Sequence, residues 1–260
     1  MDAIIIAGGI PQPGEYLYEF TQGRPKALLD IAGKPMVQWV LDALGASKWI
    51  DQIVLVSLSA EDGLKSSKPI SYVPNQGGML PNLRAGMQKM LEINPQANHV
   101  VAVSSDIPAI TPEMVDWYIE RTGGTDYDVY YTVIPRQVME TRYPGSKRSY
   151  TKLKDIEVCG GDMNKIRARL TTSHEDLWEK IIDARKNALK QAALLGFDNL
   201  ILLLLRRITL DEAVKRVAKR MNLTGEAVVS PYAELGMDVD KPHQLEIVRA
   251  DLTRKAAGGS

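Results

Sequence analysis

The sequence predicts an α/β fold in which a mostly parallel sheet is covered by helices on both faces. Three observations carry that expectation. Short apolar runs rich in β-branched residues recur at Ile4–Ile6, at 52–57 (QIVLVS) and at 99–103 (HVVAV). Segments of helical length and period lie at 35–46, 80–92 and 111–121. The first run stops at Ala7, Gly8 and Gly9, a loop almost without side chains. Apolar runs without polar alternation suit strands buried on both faces, and strands that alternate with helices favour parallel crossovers.

Taken in order, the strand at 3–6 feeds the glycine loop, whose bare backbone lets N–H groups approach a phosphate. Lys26 then supplies a mobile positive charge. The helix at 35–46 starts near Pro35 and carries Met36, Val37, Val40, Leu41 and Leu44 on one stripe. Strands at 52–57 and 70–73, a helix at 80–92 and a strand at 99–103 follow. Thr111 caps the helix at 111–121, with Pro112 at its first position, and YDVYYTVI at 127–134 is a further strand. From about 136 the character changes. RYPGSKRSYTKLKDIEVCGGD reads as an extended or hairpin region ending in a Gly-Gly turn. Residues 173–194 carry a strong amphipathic helix pattern, and Asn199–Arg207 and Thr209–Met221 read as two more helices. The last of these has Glu212 three residues beyond its Thr209 cap. A strand at 226–229 and a helix near 242–252 return to the core. The expected organisation is one domain over 1–254 with a mostly helical insertion at about 136–222, and a flexible tail at 255–260.

The bulk properties narrow the function. At 260 residues and 45% apolar content the chain can bury a sizeable core. Lys+Arg and Asp+Glu balance at 32 each, which argues against nucleic acid held by a general basic field. The single cysteine, Cys159, excludes an internal disulfide and a cysteine-ligated zinc site, and the three histidines contain no HExxH pair. The N-terminus has no basic region leading into a long apolar stretch. The longest apolar run, Leu200–Leu205, is far shorter than the ~20 residues of a spanning helix. A soluble cytoplasmic protein with no integral membrane segment is expected. That run, flanked by Arg206 and Arg207, suits burial between helices first, and otherwise a homodimer surface or a peripheral membrane contact.

Four segments carry candidate chemistry. The Ala-Gly-Gly loop with Lys26 suggests a nucleoside triphosphate site. The fourteen residues between Gly9 and Arg24, IPQPGEYLYEFTQG, form either a lid over the nucleotide or a surface excursion pinned by Tyr16, Tyr18 and Phe20. Asp106, in SSDIP, follows an apolar strand, and ligands of open α/β sheets bind beyond strand carboxyl ends. There it either holds Mg²⁺, a hard ion that prefers oxygen ligands, or caps a turn before Pro108. Asp238 and Asp240, in GMDVDKPHQL, alternate on an extended segment, so both point to one face. One can bind metal while the other caps the following helix, or Asp240 is an N-cap only. In NQGGMLPNLRAGM, Gly77 and Gly78 precede a helix beginning near Pro81. That loop either cradles ribose or base, with hydrogen bonds from Asn75, Asn82 and Arg84, or is a plain loop-to-helix turn.

In their order along the chain, IIIAGG, GRPKALLDIAGKPM, the Gly-Gly loop at 77–78, SSDIPAITPEMV and DVDKPHQL resemble nucleotidyltransferases of the Rossmann-like, glycosyltransferase A-type fold. The resemblance is greatest to the molybdenum-cofactor nucleotidyltransferase-like (MobA-like) group and covers roughly 1–134 and 226–250. It implies that Ala7, Gly8 and Gly9 hold base and phosphates through backbone groups. It implies that Lys26 neutralises the triphosphate and steadies the transition state. Asp106 would be catalytic as the ligand of a bridging Mg²⁺, with Asp240 or Asp238 as second protein ligand. Gly77, Gly78 and Asn82 would lie against base and ribose, with Asn75 beside them. The family commonly places an arginine soon after the glycines; here the first base is Arg24, which is the candidate to replace it.

The implied reaction is attack of an acceptor oxygen on the α-phosphorus of a nucleoside triphosphate, with loss of pyrophosphate. Arg136, Arg142, Lys147, Arg148, Lys152 and Lys154 stand against one acid, Glu140. If they face the cleft they suit an anionic small-molecule acceptor such as a sugar or polyol phosphate; otherwise they are a solvated basic face. Gly160, Gly161 and Asp162 fall, by resemblance, where acceptor contacts are expected. Two other functions share the fold. A nucleotide-sugar-dependent glycosyltransferase is disfavoured, because SSDIP holds a single Asp where those enzymes favour Asp-x-Asp. A nucleotide-binding regulatory module without catalysis is the other. Replacing Lys26 by Ala is expected to abolish turnover with little loss of stability.

Overall fold

The structure, a computed structural model, describes residues 1–170, 202 and 205–258. Four parallel strands form one half of the main sheet: β5 (Ile70–Val73), β4 (Ile53–Val56), β1 (Asp2–Ile6) and β6 (His99–Ser104), in that spatial order. The other half continues through β10 (Met163–Arg167), β7 (Val129–Pro135), β9 (Glu157–Gly160) and β8 (Thr151–Lys152). β11 (Gly225–Val229) pairs parallel with β7. A two-stranded ribbon, β2 (Asp30–Ile31) and β3 (Lys34–Pro35), stands apart.

Strand alternation sends β1 side chains to two cores. Ala3 and Ile5 join the larger cluster with α2 (Met36–Ala46), α4 (Pro112–Arg121) and α7 (Pro242–Ala256) through Val40, Leu44, Val115 and Val248. Ile4 faces the opposite way, against Met87 and Met90 of α3 (Met79–Ile93). Helices therefore cover both faces, as the sequence predicts. The remaining described α-helices are α1 (Tyr18–Thr21), α5 (Arg136–Arg142) and α6 (Leu210–Arg220). The Thr209 capping box of α6 forms: Glu212 N–H donates to Thr209 Oγ1 at 3.3 Å, and Thr209 N–H donates to Glu212 Oε2 at 3.0 Å.

The structure corrects the expected insertion at about 136–222. β9 and β10 fall inside that range, yet β10 pairs with both β6 and β7 and so lies within the main sheet. Its sequence, MNKIR, carries no strand signal because its polar side chains are satisfied by distant partners. Lys165, 4% exposed, donates to the Thr122 carbonyl at 2.6 Å and lies 4.4 Å from the Tyr130 ring centre. Arg167 donates to Asp128 Oδ1 at 2.7 Å. The helix expected at 173–194, and most of that at 199–207, lie outside the described residues. Of the Leu200–Leu205 run, Leu202 is partly buried against Val133, Leu153, Val158 and Ile208, and Leu205 is exposed. The start of the expected tail is helical, since α7 continues to Ala256. Among the described residues no helix is long and apolar enough to cross a membrane.

Candidate active site

The site forms where β1, β4 and β6 end. Ala7 N–H donates to the Val56 carbonyl at 3.1 Å, and Ser105 N–H donates to the Ile6 carbonyl at 3.1 Å, so the three exits stay tied. Gly8 is required there by close approach. A Cβ on it would fall 2.9 Å from Ser57 Oγ, 3.4 Å from Asn75 Oδ1, and into the Asn82 amide. Asn82 reaches this position because Gly86, one turn later, lets α3 lie directly on β1 and β4. A Cβ at Gly86 would meet Ile4 Cγ2 at 2.7 Å and Val56 Cγ2 at 3.0 Å. Residues four apart share a helix face, so Asn82 is pressed beneath the glycine loop.

The fully buried Asn82 organises the neighbouring loop. Its Oδ1 accepts from Gln76 N–H at 2.6 Å, and its Nδ2 donates to Asn75 Oδ1 at 3.2 Å. Asn75 Oδ1 also accepts from Gly77 N–H at 2.9 Å, and Gly77 takes a φ of 79°, which favours glycine. Asn75 and Asn82 thus brace the wall of the site from behind. A cavity of about 230 Å³ lies in front of it, bounded by Gly8, Gly9, Lys26, Gly78, Asn82 and Asp106 among others.

Lys26 is held at both ends. Its N–H donates to the Gly9 carbonyl at 2.8 Å. Its Nζ donates to Asp106 Oδ2 at 2.6 Å and to Asp240 Oδ1 at 2.6 Å. Burial alone would lower the lysine pKa; the Asp106 and Asp240 carboxylates outweigh it and hold it above its ordinary value. Asp106 lies at the exit of β6 with its Oδ1 buried and unpartnered. Its described side-chain bond goes to Lys26, so the turn-capping alternative does not hold.

Asp162 is brought to the same place by a distortion of the sheet. Val133 pairs with Gly160 and Tyr130 with Lys165, so three steps along β7 answer five along β9–β10. The two extra residues form a bulge around Gly161 and Asp162, anchored by Gly161 N–H to the Thr132 carbonyl at 2.8 Å. Burial pushes the Asp162 carboxyl up to about 7, with Asp106 adding to the shift, Arg148 opposing it, Asp240 adding and Lys26 opposing. Its Oδ2 is also buried and unpartnered.

Asp238 and Asp240 take different cations. Asp238 pairs with Arg148, and Asp240 with Lys26. Asp240 is not an N-cap: Gln244 Oε1 accepts from Asp240 N–H and Lys241 N–H at 3.0 and 2.9 Å, ahead of α7. Among the described residues no group of three or more His, Cys, Asp or Glu is disposed to hold a metal ion alone. The unpartnered oxygens of Asp106 and Asp162 still fit Mg²⁺, which is commonly held by one or two carboxylates with substrate phosphates supplying the rest.

Other expectations meet a different outcome. Arg24 is exposed, and its Nε donates back to the Thr21 carbonyl at 3.3 Å, away from the cavity. The loop before it is pinned by Leu17, 2% exposed, while Tyr16 and Phe20 are exposed. Most of the basic run turns elsewhere. Arg136 and Lys152 pair with Glu157, and Arg142 bridges Glu234 and Asp251 at 2.8 and 2.6 Å. Lys147 and Lys154 are exposed. Arg148 does reach the acidic cluster. Sequence reasoning passed over Ser57, which lies against Gly8. Only the Gly-Gly pair before Asp162 hinted at the bulge.

Strand-end glycines, a lysine between carboxylates and an asparagine-braced loop thus meet at one edge of the sheet. The family model of the MobA-like NTP transferase domain matches residues 3–221, and the chain belongs to that family. The probable molybdenum cofactor guanylyltransferase of Thermococcus gammatolerans is 27% identical over 99 residues, 38% of this chain. The matched stretch spans about half, 49%, of that relative's length. A hypothetical transferase from Thermus thermophilus superposes with a TM-score of 0.80 at 31% identity, covering 94% of this chain and 98% of the other. The 4-diphosphocytidyl-2C-methyl-D-erythritol synthase of Anaerococcus prevotii shares the fold, with a TM-score of 0.58 at 15% identity over 97% and 96% of the two chains.

Proposed function

We propose that this protein is a Mg²⁺-dependent nucleotidyltransferase that moves a nucleoside monophosphate group from a nucleoside triphosphate to an anionic small-molecule acceptor, such as a sugar or polyol phosphate. The observation that carries this reading is Lys26 Nζ held between Asp106 and Asp240 beside a glycine-walled cavity. In such a transfer the acceptor oxygen bonds to the α-phosphorus as the bond to the pyrophosphate oxygen breaks. Negative charge spreads over the nonbridging oxygens, so catalysis is alignment plus cationic stabilisation. Lys26 presents a permanent charge to those oxygens, and its backbone bond to Gly9 fixes it against the glycine turn. Gly8, Gly78 and Asn82 offer a wall against which base and ribose can pack. Asp106, with Asp162 or Asp240, would hold Mg²⁺, which when bound neutralises phosphate charge. A phosphate acceptor is already ionised and needs no general base. Arg148, beside Asp162 and Asp238, supports an anionic acceptor on that side of the site.

The test is pyrophosphate release with each of the four common nucleoside triphosphates, Mg²⁺ and a panel of sugar and polyol phosphates. Release with one pair of substrates is expected. Tight triphosphate binding with no release across the panel favours the regulatory-module reading. Failure to bind any triphosphate in the presence of Mg²⁺ ends the proposal.

A further inference from the structure

Along β7, Tyr130 and Ile134 enter the larger core, while Val129, Tyr131 and Val133 point to the opposite face, beneath α6. A helix laid on a sheet ordinarily buries one apolar stripe against it. α6 has no buried residue, although Ala213 and Val217, one turn apart, turn toward the strands. Between helix and sheet lies a cavity of about 570 Å³, the size of a small-molecule pocket. Leu153, Ile208 and Met221 complete its mostly apolar wall. The polar side chains at its far end are engaged. Thr224 Oγ1 donates to Asp128 Oδ2, and Glu226 Oε1 accepts from Arg121, at 2.7 Å each.

The near end of this cavity runs up to the acceptor side of the site. Cys159 and Gly160 line it there, just before Asp162 in the chain. The Tyr131 ring spans that edge: a Cβ at Gly160 would fall on its hydroxyl. Burial raises the pKa of this hydroxyl, Asp162 and Cys159 add to the rise, and Arg148 opposes it, so the tip of the ring stands close to both charges. Arg148 is nearly buried against Asp238, and its Nε is buried without a hydrogen-bond partner. A guanidinium with an unused N–H and an apolar cavity therefore adjoin the same tyrosine. We infer that the acceptor is an amphiphile, a monophosphate ester of an apolar alcohol, whose phosphate faces Arg148 and whose hydrocarbon chain lies in the cavity beneath α6. The inference rests on the nucleotidyltransferase reading and narrows its acceptor. A phosphate oxygen of the head forms the bond to the α-phosphorus as pyrophosphate leaves, and the chain takes no part in the chemistry. Tyr131 suits the boundary, because its ring packs on hydrocarbon while its hydroxyl stays with the polar head.

The experiment is isothermal titration of the full chain with straight-chain alkyl monophosphates from ethyl to octyl, below their micelle concentrations, and with the matching alcohols. Each added methylene should tighten alkyl phosphate binding by up to about fourfold. Alcohols should bind more weakly than phosphates of the same length. Ala213→Trp and Val217→Phe each place a ring in the cavity, and either should flatten the dependence on chain length. Arg148→Gln should weaken every alkyl phosphate about tenfold and keep that dependence, and Arg148→Lys should recover part of the loss. Affinity independent of chain length overturns the inference. So does a length dependence that survives in both filled variants, or alcohols that bind as tightly as the phosphates. A wild-type dimer that Ala213→Trp converts to monomers in sedimentation would make the cavity an interface between copies, and overturns it too. The four nucleoside triphosphates are titrated separately with Mg²⁺. Wild-type protein that binds none of them overturns the nucleotidyltransferase reading itself, whatever the alkyl phosphates do.

Discussion

Replacing Lys26 by Met keeps the aliphatic stem and removes the charge. In the wild type Nζ lies 2.6 Å from carboxylate oxygens of both Asp106 and Asp240, whose side chains are 13% and 56% exposed. The exposed partner, Asp240, loses at most about 1 kcal/mol. Asp106 is left nearly buried, unpaired and close to Asp162, and orphaning one member of a buried pair costs roughly 3–5 kcal/mol. Residual water access to both groups brings the expected deficit to about 3 kcal/mol at pH 8. The lysine pKa is raised, so the wild-type pair is intact below the ordinary lysine range and is lost only as pH climbs through the raised value. Between pH 5 and 8 the wild type therefore keeps the pair. Urea unfolding of both proteins at pH 8 measures this. Added Mg²⁺ should stabilise the variant more than the wild type at pH 8, by taking the vacated charge position. A deficit below about 0.5 kcal/mol at pH 8 would refute the reasoning. The sequence-based expectation that Lys26 can be lost at little cost in stability overlooks these two partners.

Two further outcomes follow from the same geometry. Asp162→Asn should remove a pH dependence: with its carboxyl raised to about 7, folded Asp162 keeps a proton that the unfolded chain has already released. Stability from this group falls as pH rises from about 4 to 7, so the Asn variant should gain roughly 2–4 kcal/mol relative to wild type on going from pH 5 to pH 8. Parallel stability–pH curves from chemical denaturation would count against it. Gly8→Ala places a methyl against Ser57 Oγ and the Asn82 amide, and should cost about 1–3 kcal/mol while weakening triphosphate binding. A thermal-shift series with nucleoside triphosphates reads both effects, and a variant with wild-type melting and wild-type ligand response would show that the Gly8 approach is looser than described.

The legible parts of the fold are those whose burial pattern is local. β1, β4, β6, α2 and α4 each carry an apolar run or stripe that needs no distant partner to be recognised. β10 does not, because Lys165 and Arg167 are made acceptable in a sheet by Thr122, Tyr130 and Asp128, residues far away in sequence. The site divides in the same way. Gly8, Lys26, Asp106, Asp238 and Asp240 stand out by motif. That Asp240 rather than Asp238 shares Lys26, and that Arg24 turns back to Thr21, depend on side-chain directions no spacing encodes.

By itself the sequence determined the α/β architecture and the ordered set of glycines, lysine and carboxylates that marks a nucleotidyltransferase, because apolar periodicity and short motifs are local properties of a chain. Tertiary structure alone decided which charges meet. It placed Asp162 in the cluster through a sheet bulge and set Arg148 against Asp238. Electrostatic pairing falls off over a few ångströms, and residues brought that close here are separated by tens to hundreds of positions along the chain.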